Sequence, residues 1–131
     1  MVRVKATSEK DLKVLAYLIQ DAILPIGDFA YFPEDKKVMF AMNRFCWEDE
    51  KAKIRSNSIL SIYNVNCMKI QNINILNRAQ KLYILDMYID GEFLYIVFSS
   101  NKKIKIGFSE LWMTLRDTGE TWPTDIIPKH N

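Results

Sequence analysis

A chain of 131 residues with 49% apolar side chains can bury roughly two-thirds of its unfolded surface, which excludes intrinsic disorder and any need for stapling. Its 18 basic and 16 acidic residues leave a formal net charge of +2, so no general electrostatic drive toward nucleic acid or an anionic membrane is expected. Only four Gly and four Pro are present, leaving no room for a long flexible linker; the expected organisation is one domain over residues 1–131, with an extended tail from about residue 123.

The opening MVRVKATSEK carries no apolar stretch of the kind a secretory signal needs, which points to a cytoplasmic protein. Residues 2–6 alternate apolar and basic and predict a short edge strand. Thr7 or Ser8 can then cap a helix whose first turn, with Glu9 and Asp11, suits the positive end of the helix dipole. Leu12, Leu15, Ala16 and Ile19 recur at helical spacing, and Pro25 forces the helix to end near Asp21 or Ala22. The apolar run over residues 14–26 is broken by Gln20, Asp21 and Pro25, far short of a membrane span.

Residues 23–32 predict a strand with a bulge or bend at Gly27, followed by a turn at Pro33-Glu34-Asp35-Lys36 and a second strand over 37–47. Both faces of that second strand are apolar-rich, so it is expected to be covered on both sides or to meet a partner. The charged stretch 48–57 reads as a solvated loop, 58–68 as a strand, and 74–81 as a helical turn. Residues 82–89 and 93–99 alternate on either side of Asp90-Gly91-Glu92, a hairpin signal. A further turn leads to a strand at 103–108. Residues 111–117 fit either strand periodicity or a helix between Ser109 and Gly119, and strand is favoured. Cys46 and Cys67 fall inside strand-like segments and read as buried, reduced thiols.

Several chemistries drop out on inspection. His130, the only histidine, stands one residue from the end of the chain, where a Ser-His-Asp or Cys-His mechanism cannot hold its imidazole. Two distant cysteines and that histidine make no zinc pattern, and no GxGxxG, P-loop or EF-hand spacing occurs, so neither a metal nor a cofactor is expected. The segment GEFLYIVF, Gly91 to Phe98, is a loose match to the aromatic strand of an RNA-recognition motif, but Asp90 stands where a basic residue belongs. RNA binding would require residues 51–55 (Lys51, Lys53, Arg55) and 102–105 (Lys102, Lys103, Lys105) on one face with exposed aromatics.

The polar residues Asp21, Asp28, Asn43, Arg44, Glu48 and Asp117 interrupt otherwise apolar positions. An Arg44–carboxylate pair can lock adjacent strands; the same residues can instead form a polar pocket in which Arg44 holds an anionic ligand and Asn43 orients it. Two of the carboxylates in one cleft would make a hydrolase pair. Trp47 and Trp122 supply large amphipathic surfaces, and Trp122 beside Pro123 either pins the tail or sits at an interface.

The segments DLKVLAYLIQDAI and GDFAYFPEDKKVMFAMNRFCWE, with LRDTGETWPT near the C-terminus, resemble an alphaproteobacterial family of small proteins known only as a domain of unknown function. The resemblance spans nearly the whole chain and sets Gln20, Asp21, Asp28, Asn43, Arg44, Trp47, Asp117, Gly119 and Trp122 on the family's characteristic positions. It implies a bacterial cytoplasmic protein and supplies no activity, cofactor or substrate. The chain is richer in Lys, Ile and Asn, where relatives carry more Arg, Ala and Leu.

These readings converge on an α+β fold, an antiparallel-β-rich curled sheet or small barrel with an N-terminal helix, for which a pleckstrin-homology-like split barrel is one candidate. The leading functional expectation is a non-catalytic binding or scaffolding module acting through a protein partner or self-association, at some of Asp21, Asp28, Asn43, Arg44, Trp47, Asp117 and Trp122. The alternatives are a small anionic-ligand binder or enzyme with a pocket around Asp28, Asn43 and Arg44, and a weak RNA binder.

Overall fold

A computed structural model describes residues 2–124 and 128. His130 and most of the tail beyond residue 124 lie outside the described residues.

Strand β1 (Arg3–Ala6) leads into helix α1 (Glu9–Ile19). Ser8 caps the helix, its hydroxyl accepting from the Asp11 backbone N–H at 3.2 Å, while the Asp11 carboxylate accepts from the Thr7 N–H at 3.1 Å. Eleven residues are too few for a stable isolated helix. What holds α1 is burial of Leu12, Leu15, Leu18 and Ile19 in the core, each worth about 1.5–3 kcal/mol. The helix stops at Gln20. Asp21 turns the chain with a left-handed φ of 61°, and its N–H donates to the Ile84 carbonyl at 2.8 Å.

The remaining strands are β2 (Ile23–Pro25), β3 (Phe29–Phe32), β4 (Lys37–Phe45), β5 (Ile54–Ile62), β6 (Val65–Gln71), β7 (Lys81–Asp90), β8 (Phe93–Phe98), β9 (Lys102–Phe108) and β10 (Met113–Pro123). All pairings are antiparallel, in the order β1-β10-β5-β4-β2-β7-β8-β9-β6, with β3 also on β4. Successive hairpins therefore build an open, curled sheet rather than a closed barrel, with β1 and β6 as its edges. Curling brings the start of β6 back toward the β3–β4 turn, where the Val65 N–H donates to the Lys36 carbonyl at 2.9 Å. The concave face and α1 enclose a core that includes Phe40, Leu60, Ile62, Leu82, Phe98, Ile106 and Leu115. Among the described residues no helix is long and apolar enough to cross a membrane.

Several element boundaries differ from the expectations. Residues 23–32 do not form one strand: a single 3-10 turn, Ile26–Asp28, divides β2 from β3 at Gly27. Residues 54–57 belong to β5 rather than to a charged loop, and 58–68 is cut in two because Asn64, at φ 58°, turns the chain between β5 and β6. Where a helical turn is expected over 74–81, residues 74–80 form two successive turns, closed by Asn77 N–H to Asn74 O and Gln80 N–H to Asn77 O, both 3.1 Å. Residues 111–117 enter a strand, which continues to Pro123 across a register shift between Asp117 and Thr121. The β7–β8 hairpin pairs Asp90 with Phe93, so its loop is Gly91-Glu92; a positive φ at Gly91 alone (66°) is the II′ pattern. Cys46 is buried as expected, but Cys67 is exposed, because it faces outward on edge strand β6. Both thiols are free.

Candidate functional site

Strand alternation sorts the sequence's polar candidates onto two faces. On β4, Met42 and Arg44 point inward, and Asn43 points outward between them. The register aligns Met42, Ser58 and Asp117 across β4, β5 and β10, which brings their inward side chains beside Arg44.

Arg44 is fully buried (0% exposed), and each of its guanidinium nitrogens has an acceptor. Its Nε donates to Asp117 Oδ1 at 3.0 Å and to Ser58 Oγ at 3.1 Å; Nη2 donates to Asp117 Oδ2 at 2.9 Å. Nη1 and Nη2 donate to the two carboxylate oxygens of Glu48 at 2.8 and 2.7 Å. Glu48 sits in the 3-10 segment Trp47–Ala52, one helical spacing beyond Arg44. The Ser58 hydroxyl donates to Asp117, whose carboxylate also accepts from the Val2 N–H at 2.8 Å. Desolvation opposes charge on Arg44, yet its hydrogen bonds to Glu48 and Asp117 win and push the guanidinium pKa above its ordinary value. Desolvation likewise raises both carboxyls, but hydrogen bonds from Arg44, and for Asp117 from Ser58 and Val2, hold them below the usual carboxylate range. The cluster is charged and internally matched: two carboxylates surround one cation, and each guanidinium nitrogen already has a partner.

The outward face carries a second, looser set. Asn43 Oδ1 accepts from Arg55 Nη1 at 3.1 Å. Arg55 is half-buried; desolvation lowers its pKa, with Asp21 acting in the opposite direction as its leading charged neighbour. Asn57, opposite Asn43, donates to Glu120 at 3.0 Å. A shallow groove of about 500 Å³ runs over this face, lined in part by Pro25, Asp28, Asn43, Asn57, Thr118 and Glu120. Asp28 and Asn43 therefore share a surface, while Arg44 lies beneath it, turned toward the interior. The expected grouping of Asp28, Asn43 and Arg44 in one pocket is divided by strand alternation.

Trp47 is buried; its indole N–H donates to the Gln20 carbonyl at 2.8 Å, and its ring lies 4.7 Å from that of Phe45. Tyr17 donates its hydroxyl proton to the Trp47 carbonyl at 3.2 Å, so this corner ties α1 to the end of β4. Trp122 is half-buried on β10, opposite Arg55, and is part of the sheet rather than of a free tail. The basic segments do not converge: β5 lies between β10 and β4, whereas β9 lies between β8 and β6. Among the described residues no group of three or more His, Cys, Asp or Glu is placed to hold a metal ion.

Sequence reasoning missed Ser58 and read Arg55 only as part of a basic stretch; these are the partners that complete the two clusters. Ser58 was legible as an inward position, sharing parity with Leu60 and Ile62, but its role depends on Asp117 arriving from a strand 59 residues away. Sequence reasoning also missed Lys69, which lines a shallow groove together with Tyr95.

Comparison with curated proteins and with solved structures finds no match. The family described as Protein of unknown function (DUF2948) matches residues 2–130, so the chain belongs to that family.

Proposed function

We propose that the protein is a non-catalytic binding module that acts by self-association across the groove between α1 and β7. The observation that carries this reading is a set of exposed large apolar and aromatic side chains on the two elements that flank that groove. Ala16 and Tyr17 on α1 face Leu85 and Tyr88 on β7 around a cleft of about 320 Å³. Tyr17 and Leu85 are 50% and 47% exposed, and Val14 and Tyr83 add further exposed apolar area on the same two elements. Large side chains gathered in this way favour burial against another surface.

A second copy suits this groove because the groove is electrostatically self-complementary. Lys13 lines its helix side and Asp86 its strand side. Among the described residues neither takes part in an ion pair within the chain. A two-fold contact would set Lys13 of one copy against Asp86 of the other, with Leu85 and Tyr17 packed between. The polar cluster weighs against anion capture, because every Arg44 guanidinium nitrogen is already engaged by Glu48, Asp117 or Ser58. The open groove at Asp28 adds the Glu120 carboxylate, a poor lining for an anion.

Size-exclusion chromatography with light scattering tests the reading over a concentration series. Dimer is expected at tens of micromolar, and Leu85→Glu is expected to yield folded monomer. A wild-type monomer up to about 200 μM, near the −5 kcal/mol limit of measurable association, would overturn it. A monomer that captures a different protein through Leu85 would replace self-association with a heterologous partner.

A further inference from the structure

The outer face of β6, β9 and β8 carries lysines that, among the described residues, enter no ion pair. In register across the sheet stand Tyr88 on β7, Tyr95 on β8, Lys105 on β9 and Lys69 on β6. The next outward row places Lys103 between Val97 and Gln71. Lys69, Gln71, Tyr95, Lys103 and Lys105 line a shallow groove of about 410 Å³. Among the described residues none of these three lysines makes an ion pair. Lys69 and Lys105 are direct cross-strand neighbours, an arrangement in which like charges repel.

The lysines do have partners of another kind. Lys105 Nζ lies 4.0 Å from the centroid of Phe93, and Lys103 Nζ lies 5.5 Å from that of Tyr95. Tyr95 itself stacks beside Tyr88 at 5.2 Å with an interplanar angle of 22°. Cation–π contacts of this kind are weak at exposed sites, about 0.5–1 kcal/mol, so an anion can draw the lysine heads away and uncover the rings. Acidic residues on this face, Asp86 and Asp90, stand on β7, at the far side from Lys69. The face is therefore polarised, with aromatic rings in the middle and cations toward β6.

We infer that this face binds single-stranded nucleic acid, with Lys69, Lys103 and Lys105 on successive phosphates and a base stacked on Tyr95. Spaced cations beside an aromatic ring match a backbone that carries both charge and a flat base, and stacking is indifferent to sequence. An acidic peptide would satisfy the lysines but supply no base to stack on Tyr95. The near-neutral net charge conceals the site because acids elsewhere offset the three lysines. This surface adjoins the α1–β7 groove through Asp86 and Tyr88 on β7, but Lys69, Tyr95, Lys103 and Lys105 line no part of that groove, so variants at these four positions test it without altering the groove.

The test is fluorescence anisotropy with an end-labelled 12-nucleotide RNA of mixed sequence and its DNA equivalent, at 50 and 200 mM salt. Binding is expected to weaken with salt at a logarithmic slope of about −2, as three phosphate contacts on a single strand require. Lys69→Glu with Lys105→Glu should abolish binding, and Tyr95→Leu should weaken it about tenfold, within the range for one stacked base. Circular dichroism and a melting curve establish that each variant is folded. Light scattering on the same samples should show an unchanged oligomeric state. No binding at 50 mM salt up to about 100 μM would overturn the inference, as that leaves less than about 5.5 kcal/mol of association. Equal affinity for inorganic polyphosphate, for an acidic peptide or for a duplex of the same length would also overturn it, as would an unaltered affinity in Tyr95→Leu.

Discussion

Arg44 on β4 and Asp117 on β10 are 73 residues apart and belong to strands that do not touch; β5 lies between them, and the guanidinium reaches across it to make two parallel hydrogen bonds of 3.0 and 2.9 Å. The pair stitches three strands at a point where the β10 register shifts, just beyond Asp117. Burying two charges brings a large desolvation cost, and this geometry offsets it by satisfying each guanidinium nitrogen.

Removing one partner should be far worse than weakening the exposed one. Asp117→Ala leaves the buried cation with Glu48 as its one carboxylate partner, and urea unfolding should show a loss of about 3–5 kcal/mol. Glu48→Gln should cost under about 1 kcal/mol, since the Glu48 side chain is 35% exposed and screened by solvent. A loss in Asp117→Ala no larger than that in Glu48→Gln would refute the lock.

The same cluster sets an acid response. Asp117 and Glu48 both have folded-state pKa values below their ordinary ones. Near and below about pH 4 the unfolded chain therefore binds more protons than the folded one, and stability must fall as pH drops through that window toward the folded values. Above it the stabilisation is complete. Melting temperature measured from pH 6 to pH 2.5 should fall steeply in the wild type and less steeply in Asp117→Asn, which starts lower.

The helix cap offers a local test. Ser8→Ala removes the acceptor for the Asp11 N–H and should cost about 1 kcal/mol, whereas Ser8→Gly should cost only a few tenths. Chemical denaturation of both variants distinguishes the cap from a general surface effect, which would lower both equally.

Gly107 is kept for space rather than for backbone conformation. A Cβ there would sit 2.7 Å from Cys67 Sγ and 3.4 Å from the Phe93 ring. Gly107→Ala should destabilise by about 1–3 kcal/mol through overpacking, and Cys67→Ala in the same chain should recover at least about 0.5 kcal/mol of it. Additive effects in the double variant would show that the thiol is not the obstacle.

Much of the fold was legible because its signals are local. The helix follows from Ser8 and the spacing of Leu12, Leu15 and Ile19, and the β7–β8 hairpin follows from Gly91 between alternating runs. The failures were local too: Asn64 adopts a left-handed φ without a Gly or Pro to announce the turn, so β5 and β6 read as one strand. Arg44 and Asp117 were both singled out as polar interruptions, but Asn43 and Arg44 were grouped, although adjacent strand residues face opposite ways.

By itself the sequence determined an antiparallel, hairpin-built chain with a capped N-terminal helix, because capping, turn chemistry and period-two alternation act over a few residues. Only the tertiary structure decided that Arg44 meets Asp117 across an intervening strand, and that Lys69 stands beside Lys105 in one groove with Tyr95. Those meetings depend on strand order and register, which are set by how the whole apolar surface packs at once.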